Sequence, residues 1–205
     1  MDPAERFEQT RAEQTIDRRT VLAGAATVGV AAVAGCMNGG DGSEASVPDP
    51  ITVDSDRACD NCTMIIGDYP GPTGQSFYED PESVLGDGEN RAAQFCSSRC
   101  TYAFTFENES KAEPEVSYLT DYSSVDYELD ENGDQPEMEK FLDAETFAVA
   151  KDLTLVVDSD VRGAMDKSMI GFSDTDGAES FQAEWGGDVY EHDEVNRELI
   201  QSLKE

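Results

Sequence analysis

Apolar positions along this chain come in short runs separated by polar, acidic stretches. Val21 to Ala34 is weakly apolar throughout, rich in Ala, Gly and Val. At about fourteen residues it is too short for a membrane-spanning helix, which needs about twenty. Beyond residue 50, Ile51-Thr52-Val53 predicts a short strand, and Arg91 to Phe95 a strand leading into Cys96. Ser97 is placed to cap a helix running through Tyr102, Phe104 and Phe106. Partial period-two alternation between Val116 and Leu129 predicts one or two strands. Ala144 to Ala150 reads as a short helix and Leu153 to Val157 as a strand. Ala178 to Trp185 reads as a helix stopped by Gly186-Gly187, Asp188 to Glu191 as a strand, and Asp193 to Leu203 as a closing helix capped by Asp193.

The amino-terminal run has flanks that give it a meaning. Arg18-Arg19 precede it and Val33-Ala34-Gly35-Cys36 ends it. This is the pattern of a twin-arginine export signal followed by a lipobox, with Cys36 as the residue that receives lipid. Residues 1–35 are then a signal, and residues 36–50, small and Pro/Gly-rich, a flexible tether. The remainder divides into a unit over 51–129, an acidic linker over 130–143 and a second unit over 144–205. The expected fold class is α+β.

Charge narrows the partners. The chain has 45 acidic and 14 basic residues, a formal charge of -31, and 16 Phe plus Tyr with one Trp, enough for a modest core. Cleavage before Cys36 leaves 40 acidic and 10 basic residues. Such a surface repels phosphate backbones, which excludes nucleic-acid binding. The acids are spread along the chain without a calcium-loop pattern, as expected of a protein hydrated for high salt. With His192 the one histidine, catalytic schemes built on several histidines are excluded.

The chemistry lies in sulfur. With Cys36 assigned to lipid, Cys59-x2-Cys62 and Cys96-x3-Cys100 remain, spaced so that two sulfurs of each pair can reach one ion about 2.3 Å away. Strand alternation would put Cys62 and Met64 on one face, and a thiolate beside a thioether favours Cu(I) over hard cations. Cys96 and Cys100, near a helix amino terminus, should have lowered thiol pKa values. Residue chemistry alone leaves three readings open: a copper site, a four-cysteine structural zinc site, and two disulfides in an exported domain. A thiol oxidoreductase using Cys59-x2-Cys62 fits less well, because Thr-Met-Ile-Ile follows the pair where a helix would be needed. Thr63-Met64-Ile65 and Ser168-Met169-Ile170 form a short internal echo, which would describe two similar units with facing methionines.

The order lipobox, CxxCTMII, FCSSRCTYAF, KSMIGF and Gly-Gly-x-Val-Tyr resembles the NosL family, from about residue 51 to the carboxyl end. FCSSRC is also similar to the metal-binding knuckle of TRASH-type domains. The resemblance implies two small ββαβ-type units and a non-enzymatic, membrane-anchored Cu(I) chaperone on the extracytoplasmic face. It would deliver copper for maturation of nitrous oxide reductase, with that apo-enzyme and other copper-delivery components as partners. Carried over by position, Cys62 and Met64 would bind copper, with Met169 as a third ligand. Cys59, Cys96 and Cys100 are more thiols than such a site requires; they would add ligands or hold zinc or a disulfide. His192 is a further possible ligand from the second unit, Met165 is read as packing, and Trp185, Phe95 and Phe181 as core. The rival reading is an exported lipoprotein stapled by disulfides or zinc that acts as an interaction module.

Overall fold

A computed structural model describes residues 47–204. The expected export signal with Arg18 and Arg19, the expected lipid acceptor Cys36 and most of the expected tether lie outside the described residues. The fold is α+β, built around two sheets.

In the first sheet, β1 (Gly74–Phe77) is central and pairs antiparallel with β2 (Ala93–Phe95) and β3 (Val116–Thr120). A short helix, α1 (Pro81–Leu85), lies between β1 and β2, and α2 (Ser98–Asn108) between β2 and β3. The second sheet repeats this plan. Its central strand β7 (Thr154–Gly163) pairs antiparallel with β8 (Asp166–Phe172) and β9 (Asp188–Tyr190), with α3 (Thr175–Trp185) between the last two. Both are therefore ββαβ units in which the first strand sits between the other two.

The expected methionine equivalence does not follow from this repeat. Met64 precedes the first strand of its unit, whereas Met169 lies inside the second strand of the other. Two further strands, β4 (Leu129–Asp130) and β5 (Glu137–Met138), form a short hairpin within the stretch expected to be acidic loop, and β5 runs parallel to β7. The helix expected over Ala144 to Ala150 is instead two single 3-10 turns flanking β6 (Phe147–Val149). β6 fills the open edge of β3, so pairing with the first sheet overrides its local helical composition. Ile51-Thr52-Val53 is not a strand. The Gln75 side-chain amide accepts from Ile51 N–H at 3.0 Å and donates to its carbonyl at 2.8 Å, serving it in place of a neighbouring strand.

The sheets meet where β3 ends. Tyr122 N–H donates to the Gly171 carbonyl (2.9 Å), and the buried Asp121 carboxylate accepts from Ser173 N–H (2.9 Å) and Ser173 Oγ (2.7 Å). α2 lies close on the first sheet because β1 begins with glycine: a Cβ at Gly74 would stand 2.3 Å from Thr101 Oγ1. That approach fixes the amino end of α2, where Cys96 and Cys100 lie. α2 starts where the sequence predicts, with Ser97 Oγ accepting from Cys100 N–H at 3.0 Å. The carboxyl-terminal helix begins later than expected. A single 3-10 turn spans His192–Glu194, and α4 (Arg197–Ser202) is capped by Asn196.

Candidate metal centre

Two local structures carry the four cysteines. The first is a turn, Cys59 to Cys62, closed by an isolated bridge between Ala58 and Ile65. Within it Cys59 N–H donates to the Met64 carbonyl (2.8 Å) and Thr63 N–H to the Cys59 carbonyl (2.9 Å). Thr63 has φ +66°, a left-handed conformation that a β-branched residue adopts at a cost. This single dihedral overturns the expectation that strand alternation relates Cys62 to Met64. Relief of that strain is measurable: Thr63→Gly should raise stability by about 0.5–1 kcal/mol, the strain relieved less the added freedom of the unfolded chain. Urea denaturation checks this; a lower midpoint would mean that the Thr63 hydroxyl bond to the Cys62 carbonyl (2.6 Å) outweighs the strain.

The second structure is the start of α2. Cys96 immediately precedes the Ser97 cap, and Cys100 lies in the first turn. The lowered thiol pKa values expected here from the helix amino terminus are not found: Cys100 donates to Cys96, but the Cys59 neighbour and burial outweigh this and push Cys96 up, and Cys100 is pushed up as well.

A polar clasp holds the two structures together. Asp60, between the first two cysteines, accepts from Gln94 N–H at 2.8 Å, while its own N–H donates to the Gln94 carbonyl at 3.0 Å. Its carboxylate also takes both terminal nitrogens of Arg91 at 2.7 Å. Gln94 lies on β2, two residues before Cys96, so the turn is pinned to the strand that leads into α2. Asp54 N–H adds a bond to the Gln94 side chain at 2.9 Å. Sequence reasoning missed Asp60, Arg91 and Gln94. The one trace they leave is an acidic residue inside the CxxC, which is unremarkable in so acidic a chain.

The four sulfurs converge. All lie within 4.8 Å of one another, with Cys62 Sγ 3.4 Å from Cys96 Sγ, and Cys96 Sγ 3.8 Å from Cys100 Sγ. They are free thiols. Four sulfurs about 2.3 Å from one tetrahedral ion stand about 3.8 Å apart, so the cluster has the dimensions of a single-ion site. Cys59, Cys96 and Cys100 are each at most 1% exposed, whereas Cys62 is half-buried. The thiols are electrostatically unequal. Cys100 and Cys96 donate toward Cys59 and pull its pKa far below the usual thiol value, and Cys100 also brings Cys62 down to about 7. Cys100 is pushed up by its Cys59, Cys62 and Cys96 neighbours and by burial. The cluster thus holds negative charge among donors, the condition a cation exploits.

Met64 lies half-buried two residues beyond Cys62. Met169 does not join the cysteines. It is 1% exposed in a different apolar cluster, with Leu153, Leu155, Val157, Tyr102 and Leu119, whereas Cys59, Cys96 and Cys100 belong to the cluster of Phe95 and Ile66. Met165, at the tip of the β7–β8 hairpin, packs against that same cysteine-containing cluster. Phe95 and Phe181 are core, while Trp185 is only partly buried.

His192 is also elsewhere. Its Nδ1 is 2.9 Å from the Tyr102 hydroxyl, on the 3-10 turn after β9. Burial lowers its pKa, partly opposed by Asp193 and Asp152 and aided by Lys151. A folded-state pKa below the unfolded value near 6.5 means the unfolded chain binds the proton first as pH falls. The stability His192 permits is therefore complete above that unfolded value and declines below it. Wild type should lose thermal stability relative to His192→Asn between pH 7 and 5. Parallel pH profiles would show that His192 titrates alike in both states.

A family model described as NosL matches residues 50–200. A curated relative, the copper-binding lipoprotein NosL of Stutzerimonas stutzeri, is 25% identical over 154 residues, covering 75% of this chain and 69% of that protein. The crystal structure of the copper chaperone NosL from Shewanella denitrificans superposes with a TM-score of 0.55 at 26% identity, covering 71% of this chain and 94% of that one. The matched span contains the whole cysteine cluster, its clasp and both ββαβ units, and on that ground the chain belongs to the NosL family.

Proposed function

We propose that this protein is a Cu(I) chaperone, exported through its twin-arginine signal and tethered by lipid on Cys36 to the extracytoplasmic face of the membrane. There it delivers copper to the nitrous oxide reductase apo-enzyme, directly or through other copper-delivery components. The observation that carries this reading is the convergence of four free sulfurs with one of them, Cys62, at the edge of the cluster and Met64 following it. Support comes from the copper-binding and chaperone relatives above.

The geometry suits a carrier rather than a catalyst. Soft thiolate and thioether donors select Cu(I). Cys62 is reachable from solvent, so an incoming partner's ligand can bond the ion there before the donor's own bonds break. Transfer then proceeds through shared coordination, never through a free ion. The thioether of Met64 carries no proton to compete for the metal, so its contribution persists as pH falls. An acid-rich, lysine-poor surface suits such a protein to high salt, where its self-repulsion is screened.

Anaerobic Cu(I) titration of the reduced mature chain against a chromogenic competitor tests the reading. One Cu(I) per chain, held more tightly than micromolar and passed on to the apo-enzyme, is the expected result. No binding beyond a micromolar competitor would remove the carrier role.

A further inference from the structure

We propose that the cleft between α3 and the loop following β3 is a binding site for a small quaternary ammonium ion of the choline type. The site draws on none of the cysteines and stands independently of the copper reading.

The cleft has a volume of about 270 Å³, and five aromatic residues line it: Tyr122, Tyr127, Phe172, Phe181 and Trp185. Tyr122, Phe172 and Phe181 are at most 4% exposed and form its floor, whereas Tyr127 and Trp185 are half-buried and form its walls. The rings meet at angles, 88° between Tyr122 and Tyr127 and 44° between Phe172 and Phe181. The aromatic surface therefore curves around the cleft instead of stacking flat. Gly177, in the first turn of α3, keeps the space open. A Cβ there would meet nothing closer than 3.7 Å, so packing does not require glycine, and helix propensity alone favours a residue with a side chain. What the glycine preserves is room in the cleft that it lines.

Charge selects the occupant. Asp174 and Glu184 stand exposed at the rim, and no lysine, arginine or histidine is among the described residues that line the cleft. Burial raises the Tyr127 pKa, and the Glu184 charge raises it further. Ring faces carry the negative part of the aromatic quadrupole, so walls and rim both attract a cation. The floor narrows the choice. Its one polar side-chain atom, the Tyr122 hydroxyl oxygen, already donates to the Glu139 carbonyl at 2.7 Å. A primary ammonium or a guanidinium seated there would leave N–H donors unmet, at a cost. A quaternary ammonium has no N–H to satisfy and presents its charge through methyl groups that pack on rings. The carboxylates also favour a free ion over a lipid headgroup. In phosphatidylcholine a phosphate follows the ammonium after a short ethylene link and would lie against Asp174 and Glu184.

Trp185 is the chain's one tryptophan, so its emission reports on the cleft directly. Choline titrated into the mature chain at constant ionic strength should change that emission saturably, with a Kd on the order of 1 mM or below. Two analogues isolate the causes. The alcohol with a tert-butyl group in place of trimethylammonium has choline's shape without its charge, and ethanolamine has the charge without the methyl groups. Both should bind at least about tenfold more weakly than choline. Equal binding of the neutral analogue would reduce the cleft to an apolar pocket, and equal binding of ethanolamine would reduce it to the general pull of an acidic surface. Either result overturns the proposal, as does the absence of any saturable response to choline. Tyr127→Leu should weaken choline binding about tenfold. Gly177→Leu, which fills the cleft, should abolish it. Choline should raise the thermal midpoint of the unmutated chain but not that of Gly177→Leu. Unchanged choline affinity in a folded Gly177→Leu overturns the placement; should that variant fail to fold, the analogues and Tyr127→Leu still decide. Sedimentation with phosphatidylcholine vesicles, reversed by free choline, would overturn the assignment to a free ion.

Discussion

Replacing Cys62 with Ala is expected to weaken Cu(I) binding by on the order of 100-fold or more while leaving the metal-free fold nearly intact. Removing a direct sulfur donor should exceed the 10–100-fold loss typical of merely supporting groups. The fold should tolerate it because Cys62 is half-buried in a turn whose backbone bonds run through Cys59, Thr63 and Met64, and these the substitution leaves in place. The cost in stability should stay below about 1 kcal/mol. Met64→Leu should weaken copper binding less, since a neutral thioether is the poorer donor. Met169→Leu should leave it unchanged, because Met169 is enclosed by Leu153, Leu155 and Val157, and the volume-conserving swap should cost under about 1.5 kcal/mol. Competition titrations on the three variants separate these roles. Equal losses in Met64→Leu and Met169→Leu would contradict the placement of the two methionines in separate surroundings.

The second large effect is expected at a residue that touches no metal. Asp60→Ala should destabilise the fold by about 3 kcal/mol and reduce copper affinity about 10–100-fold. The Asp60 carboxylate side chain is only 11% exposed and holds both terminal nitrogens of Arg91 together with Gln94 N–H. Truncation orphans that amide and leaves a largely covered guanidinium with Asp87, the well-exposed Glu89 and the Ala92 carbonyl. It also leaves the turn bearing Cys59 and Cys62 tied to β2 through only the backbone bond to the Gln94 carbonyl and the Asp54 bond to the Gln94 side chain, so the spacing of the sulfurs loosens. Asp60→Asn should recover part of the stability, because a side-chain oxygen can still accept from Gln94 N–H. Denaturant midpoints and copper competition measured together decide the matter: normal affinity in a destabilised Asp60→Ala would show that the clasp does not position the sulfurs.

Several elements could be read from neighbouring residues alone because their causes are local. Ser97 before a helical stretch specifies the start of α2, and Gly186, at φ +70°, stops α3 where a glycine pair predicts it. β8 was less legible. From Ser168 to Phe172 every residue is buried, so the strand lacks the alternation that marks a sheet with one wet face. β6 and the β4–β5 hairpin are too short to signal themselves and exist through partners distant in sequence. The closing helix illustrates two competing caps. Asp193 and Asn196 both have capping side chains, but His192 is engaged with Tyr102 in a 3-10 turn, and the helix waits for Asn196.

For the candidate site the division is similar. Residue types and spacing determined that this protein carries two cysteine pairs spaced as soft-metal ligands are, behind a stretch that reads as an export signal ending at Cys36. Spacing cannot say whether the pairs form two sites or one, because that depends on where a turn at residue 60 lies relative to a helix beginning at residue 98. The tertiary structure decided it. Asp60 joins the turn to β2, Gly74 lets α2 settle closely on β1, and four sulfurs from two segments meet within 4.8 Å. Met169, which matches Met64 in its short sequence context, is drawn instead into an apolar core, because burial is set by the sheet a residue belongs to and not by its immediate neighbours in the chain.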